Sequence, residues 1–301
     1  MLSRLAESFF WLGRNVERAG GTARLLVETH QLLVEDSGPQ QADGIALLLH
    51  GLGFGTGAAS SLPELVALVY GDSAVSGSVV GSLDAARANA RSVRDALPSD
   101  FYEALTKAQH RAAEPLNTLS PGAGLRDVLE SLALVHGVFA WVSPRDEARS
   151  FYQLGRYLER IDLVARLLNM RLDVGWPEQG PATMLRAVAG LHTFLRRHAR
   201  MTAEPVRMFL LKDAACPRSL LRTAINAEES LHEIAEFSST RAELTIRPVA
   251  LLRAELDYTA DLLDDATVDR FVAQAIETVE ATTTLLRERY FRPVGSIVWN
   301  H

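Results

Sequence analysis

Apolar positions recur at spacings of three, four and seven along most of the chain, the period of an amphipathic helix rather than the alternation of a strand. From Ser3 to about Glu35, Leu5, Leu12, Val16, Ala19, Ala23 and Leu26 trace one such stripe, with Ser3 as its N-cap and Gly38-Pro39 as its stop. A second apolar stretch, Gly44 to Leu52, runs into Gly51-Leu-Gly-Phe-Gly-Thr-Gly57. That cluster lacks the lysine and the strand–helix setting of a phosphate loop, so it reads as a flexible connection. Pro63 fits the first turn of a short helix ending near Tyr70-Gly71. Further helices are predicted over Ser78–Leu97, Ser99–Leu119 and Leu125–Trp141.

Ser143-Pro144-Arg-Asp-Glu147 then reads as an N-cap, a first-turn proline and first-turn acids, opening a long helix to about Val174. Beyond it, helices are predicted over Ala182–Arg200, Ala203–Lys212, Arg218–Phe237, Ile246–Asp264 and Val268–Tyr290, before a tail from Pro293 to His301. The expected class is all-α.

One block occurs twice. Ser8-Phe-Phe-Trp-Leu-Gly-Arg-Asn-Val-Glu-Arg-Ala-Gly-Gly-Thr-Ala-Arg-Leu-Leu26 returns 142 positions later as Ser150-Phe-Tyr-Gln-Leu-Gly-Arg-Tyr-Leu-Glu-Arg-Ile-Asp-Leu-Val-Ala-Arg-Leu-Leu168, with 11 identities over 19 positions. The repeat implies two halves, 1–141 and 142–301, each opened by a long helix. With no Pro/Ser-rich or charged linker between them, they are expected to form a single domain over 1–301, a helical bundle with pseudo-twofold symmetry. Long amphipathic helices of this kind are expected to pair antiparallel.

Composition narrows the function. The chain carries a net charge of −6 over 301 residues, a poor match to general nucleic-acid binding. Cys216, the single cysteine, excludes an intrachain disulfide and a multi-cysteine zinc site. At the start of a helix the dipole favours its thiolate, although a lone cysteine usually serves as a small apolar residue. Met1 to Arg18 holds Arg4, Glu7, Arg14 and Glu17 where a secretory leader needs apolar residues, and no run long enough to cross a membrane occurs, so a cytoplasmic protein is expected. Glu229-Ser-Leu-His232 has the Glu-x-x-His spacing of di-iron bundles. Such a site needs a second copy and two more glutamates, so no metal and no cofactor is expected.

On a helical projection, Arg14, Glu17, Arg18 and Arg24 oppose the aliphatic arc of the first repeat, as Arg156, Glu159, Arg160 and Arg166 do in the second. Phe10, Leu25, Tyr152, Leu163 and Leu167 lie in or beside the charged arc, so a fully wet face is unexpected. Arg14 and Arg18 are like charges one turn apart, as are Arg156 and Arg160, a mildly unfavourable spacing that makes sense if an anion lies between them. Three readings are open. The glutamates pair with arginines of a facing helix, the arginines grip a phosphate or carboxylate, or Glu17 or Glu159 acts as a general base.

The opening Met1-Leu-Ser-Arg-Leu-Ala-Glu-Ser8, Trp11-Leu-Gly-Arg-Asn-Val-Glu-Arg18, its echo Leu154-Gly-Arg-Tyr-Leu-Glu-Arg160, Ala86-Arg-Ala-Asn-Ala-Arg-Ser-Val-Arg-Asp95 and Cys216-Pro-Arg-Ser-Leu220 together resemble the bacterial alpha-E family, across nearly the whole chain. The resemblance implies an all-helical accessory or scaffold protein working with a circularly permuted ATP-grasp protein, often beside a transglutaminase-like peptidase. It points to peptide or amide-bond synthesis, with the Glu-Arg positions falling on Glu17-Arg18 and Glu159-Arg160. The alternative is an enzyme in its own right, using a Glu-Arg site on an anionic peptide. Gly20-Gly21 stands where the family usually has Glu-Asn. Two mid-helix glycines cost roughly 2 kcal/mol against alanine, which favours the second pair as the working one.

Overall fold

The computed structural model describes residues 1, 3–35, 39–55, 57–71, 73–75, 77–237, 243–259 and 264–291. The predicted tail from Pro293 lies outside them. Among the described residues there is no strand, and no helix is long and apolar enough to cross a membrane.

The first half holds α1 (Ser3–Val34), α2 (Pro39–Leu52), α3 (Leu62–Val66), α4 (Val79–Ser92), α5 (Ser99–Ala112) and α6 (Gly122–Val142). The second holds α7 (Glu147–Asn169), α8 (Leu172–Gly175), α9 (Gly180–Ala187), α10 (Leu191–Leu195), α11 (Ala203–Lys212), α12 (Leu220–Phe237), α13 (Glu243–Tyr258) and α14 (Asp265–Leu286). The repeat helices α1 and α7 lie against each other at the centre. α4 and α6 cover α1, while α12 and α14 cover α7; α5 bridges α4 to α6 as α13 bridges α12 to α14.

The central pair runs parallel, not antiparallel. A Cβ on Gly13 would stand 2.0 Å from the Tyr152 carbonyl oxygen, and one on Gly155 would stand 2.0 Å from that of Phe10. Farther along, Gly21 faces the Leu163 side chain, so numbers rise together on both helices. Antiparallel pairing follows from a short connection; here five helices separate α1 from α7, so nothing imposes it. The two glycines instead let backbone meet backbone. The long helices are buried on almost every face. Phe10, Phe151 and Phe291 cluster at one end of the crossing, with Phe101, Phe139 and Tyr152 beside them. Full burial of such side chains contributes about 1.5–3 kcal/mol each.

Local boundaries differ from expectation in several places. The cap of α7 is Asp146, which accepts from the Arg149 N–H at 3.0 Å, so Ser143 and Pro144 stay outside the helix. α1 begins at Ser3 itself. Left-handed φ values at Arg171 (49°) and Ala189 (54°) break the two helices predicted to run unbroken to Val174 and over Ala182–Arg200. The helix predicted to Leu97 ends at Ser92, with a 3₁₀ turn over Arg94–Ala96, and the one predicted to Leu119 ends at Ala112.

Candidate functional site

The charged arcs of α1 and α7 face each other across the glycine crossing and pair reciprocally. Glu159 of α7 accepts from Arg14 Nε at 2.7 Å, from Arg18 Nε at 2.6 Å and from Arg18 Nη2 at 2.8 Å. Glu17 of α1 accepts from Arg160 Nε at 2.8 Å and Nη2 at 2.9 Å, and from Arg218 Nη2 at 3.4 Å. Arg156 Nε stands 3.5 Å from the same carboxylate. Each glutamate is thus held by arginines of the other repeat copy, with Arg218 added at Glu17, because the parallel register brings residues one to three positions off the 142-residue repeat against each other.

Burial is nearly complete: Glu17 and Glu159 are 2% and 1% exposed, and Arg14 and Arg160 each 7%. Burial alone would push the Glu17 carboxyl up, but the charges of Arg160, Arg218 and Arg156 outweigh it and hold it well below 4.5. Glu159 is likewise pushed up by burial and more strongly down by Arg14 and Arg18. Both stay ionised. A carboxylate whose oxygens already receive two or three charged donors is a poor proton acceptor.

The remaining predicted residues fall at the edges. Arg166 donates to Asp162 one turn back on α7, at 2.8 Å. Arg24 is half-buried on α1 and makes no ion pair among the described residues. A cavity of about 260 Å³ beside Glu159 is lined by Arg18, Thr22, Phe54, Asp162 and Arg166. Gly53, at φ 79° within the glycine cluster, lies against Arg166 there, a contact that its spacing alone did not announce. Beside Glu17 the cavity is about 30 Å³, lined by Gly21, Leu25, Arg160, Leu163 and Arg218.

Sequence reasoning missed Arg218, His136 and Thr283. Arg218 lies within Cys216-Pro-Arg-Ser-Leu220, a block whose only sequence signal was resemblance. His136 Nε2 is 3.9 Å from Glu17; burial, then the charge of Arg156, lowers its pKa to about 3, so it is neutral. Thr283 accepts from Arg14 Nη1 at 3.3 Å. Cys216 is buried and burial pushes its thiol up, against activation by the helix dipole. His232 is exposed and 3.9 Å from Glu228, not paired with Glu229. Among the described residues no group of His, Cys, Asp and Glu is placed to hold a metal ion.

A family model described as a predicted alpha-helical domain with a conserved ER motif matches residues 1–291. Uncharacterised proteins of Mycobacterium bovis and Mycobacterium tuberculosis are 25% identical over 249 residues, covering 72% of this chain and 28% of theirs. A further uncharacterised Mycobacterium tuberculosis protein is 24% identical over 249 residues. The chain spans little more than a quarter of the length of these relatives, 28%. No solved structure matches.

Proposed function

The chain belongs to the Alpha-E family, and from that premise we propose that it is a non-catalytic cytoplasmic accessory to a circularly permuted ATP-grasp ligase, in the synthesis of peptide or amide bonds. The observation that carries the reading is the state of the two glutamates. Each is buried, ionised and saturated by arginine donors, which suits a network that fixes how two helices pair and does not suit a general base. The arginines left at the edge of the network supply an anion-attracting face for an acidic substrate. The outer face of α6 leaves Leu134 and Trp141 exposed, Trp141 to 90%, apolar area of the sort a partner covers.

The test is the affinity of the purified chain for a circularly permuted ATP-grasp protein, with and without ATP. A one-to-one complex that raises ATP turnover, weakened by Trp141→Ser, is the expected result. Absence of binding at micromolar concentrations sinks the accessory role.

A further inference from the structure

The repeat allows its two charged sites to be compared position by position. In the second copy Asp162 takes the Nε of Arg166 at 2.8 Å. The matching position in the first copy is Gly20, so Arg24, the counterpart of Arg166, has no acid one turn before it. The acid one turn after it, Glu28, is occupied by Arg186 at 2.7 Å.

Arg24 lies two turns beyond the more heavily loaded glutamate on α1. Glu17 faces Arg160 at 2.8 Å, Arg218 at 3.4 Å and Arg156 at 3.5 Å, and the charge of Arg24 bears on Arg218. Around Glu159, by contrast, Arg14, Arg18 and Arg166 share two carboxylates, those of Glu159 and Asp162. The first site therefore carries an excess of arginine over acid that the second does not. Burial, with the charges of Arg160, Arg24 and Arg156, brings Arg218 down to about 10 despite Glu17. Half-buried cations short of counter-ions are unfavourable, and guanidinium forks match a carboxylate in geometry. The cavity beside Arg160 and Arg218, about 30 Å³, has room for a single oxygen-sized group. That suits the leading oxygen of a planar carboxylate better than a tetrahedral phosphate.

We propose that Arg218, which lines the cavity beside Glu17, and Arg24, flanked on α1 by the lining residues Gly21 and Leu25, form a carboxylate-binding site that takes the acidic side chain or free carboxyl terminus of a peptide. The proposal rests on the reading of the chain as a binding protein and names which repeat copy holds the acidic substrate. Gly20, which on sequence grounds weakens the first copy, is what leaves Arg24 without the acid that Arg166 has.

The experiment is calorimetric titration of the full chain with the peptide Gly-Glu-Glu, with its uncharged counterpart Gly-Gln-Gln-amide, and with inorganic phosphate. A Cβ at Gly20 meets only Leu132 Cδ1, at 3.7 Å, an ordinary contact, so the position accepts a side chain and Gly20→Asp gives Arg24 the acid that Arg166 has. The acidic peptide should bind and the neutral one should not. Gly20→Asp and Arg24→Gln should each weaken binding about ten-fold or more, with melting temperatures no lower than that of the parent chain. No binding at millimolar peptide, binding unchanged in Gly20→Asp, or phosphate bound more tightly than the peptide overturns the proposal. Failure here with partner affinity intact removes the site and leaves the accessory role; loss of partner affinity alone does the reverse.

Discussion

Glu17 and Glu159 scarcely meet water, and their chemistry is set by arginines 139–145 residues away in the chain and, at Glu17, by Arg218, 201 residues away. Replacing either by glutamine leaves buried guanidinium groups without their counter-charge, which should cost about 3–5 kcal/mol, read as a fall in the urea midpoint. Acid acts on the same cluster through two groups. His136 takes a proton near 6.5 when unfolded but only near 3 when folded, so the unfolded chain binds more protons between those values. Stability should therefore decline as pH drops below about 6.5 and keep declining toward 3. The folded values of both glutamates lie below 4.5, so their contribution is intact above 4.5 and lost as pH falls through those folded values. His136→Gln should flatten the upper part of this profile and leave the lower part, a comparison made with urea midpoints across a pH series.

At the scale of helices, the glycine crossing sets the geometry of the network. Gly13→Ala and Gly155→Ala each drive a methyl into a carbonyl oxygen, at 2.0 Å, so each should destabilise by about 3 kcal/mol or more despite alanine's better helix propensity. The double variant should cost less than the sum, since one separation of the helices relieves both clashes. Gly20→Ala has room and should stabilise by about 1 kcal/mol; thermal melts of the set check all four. The helices themselves were legible because their stripes are long and regular. Their breaks were not: Arg171 and Ala189 adopt left-handed φ without being glycine, so no residue type marks them. Direction was equally hidden, because an apolar stripe reads the same for a parallel as for an antiparallel neighbour. Gly13 and Gly155, identical in the repeat, were the available signal of close approach. The charged residues of the site were visible in the repeat, whereas Arg218 reaches it from the turn before α12 and His136 from α6, and no local pattern encodes that packing.

At the scale of the molecule, α1 and α7 share one core, so the halves should not melt apart. Trp11 in the first half and Trp176 in the second are both part of that packing, and tryptophan fluorescence should change together with helical circular dichroism in a single transition. Residues 1–142 expressed alone should aggregate, since Phe10, Gly13 and Glu17 would lose the helix that covers them. The crossing has a further consequence in time. Its contacts join residues about 142 apart, and such long loops must close before the core rewards them. At roughly 5–20 residues per second, a ribosome needs on the order of ten to thirty seconds between making α1 and making its partner. Through that interval the nascent α1 keeps its central seam open, with Glu17, Arg14 and Arg18 hydrated rather than paired, so the charges that end up buried also keep the waiting helix soluble.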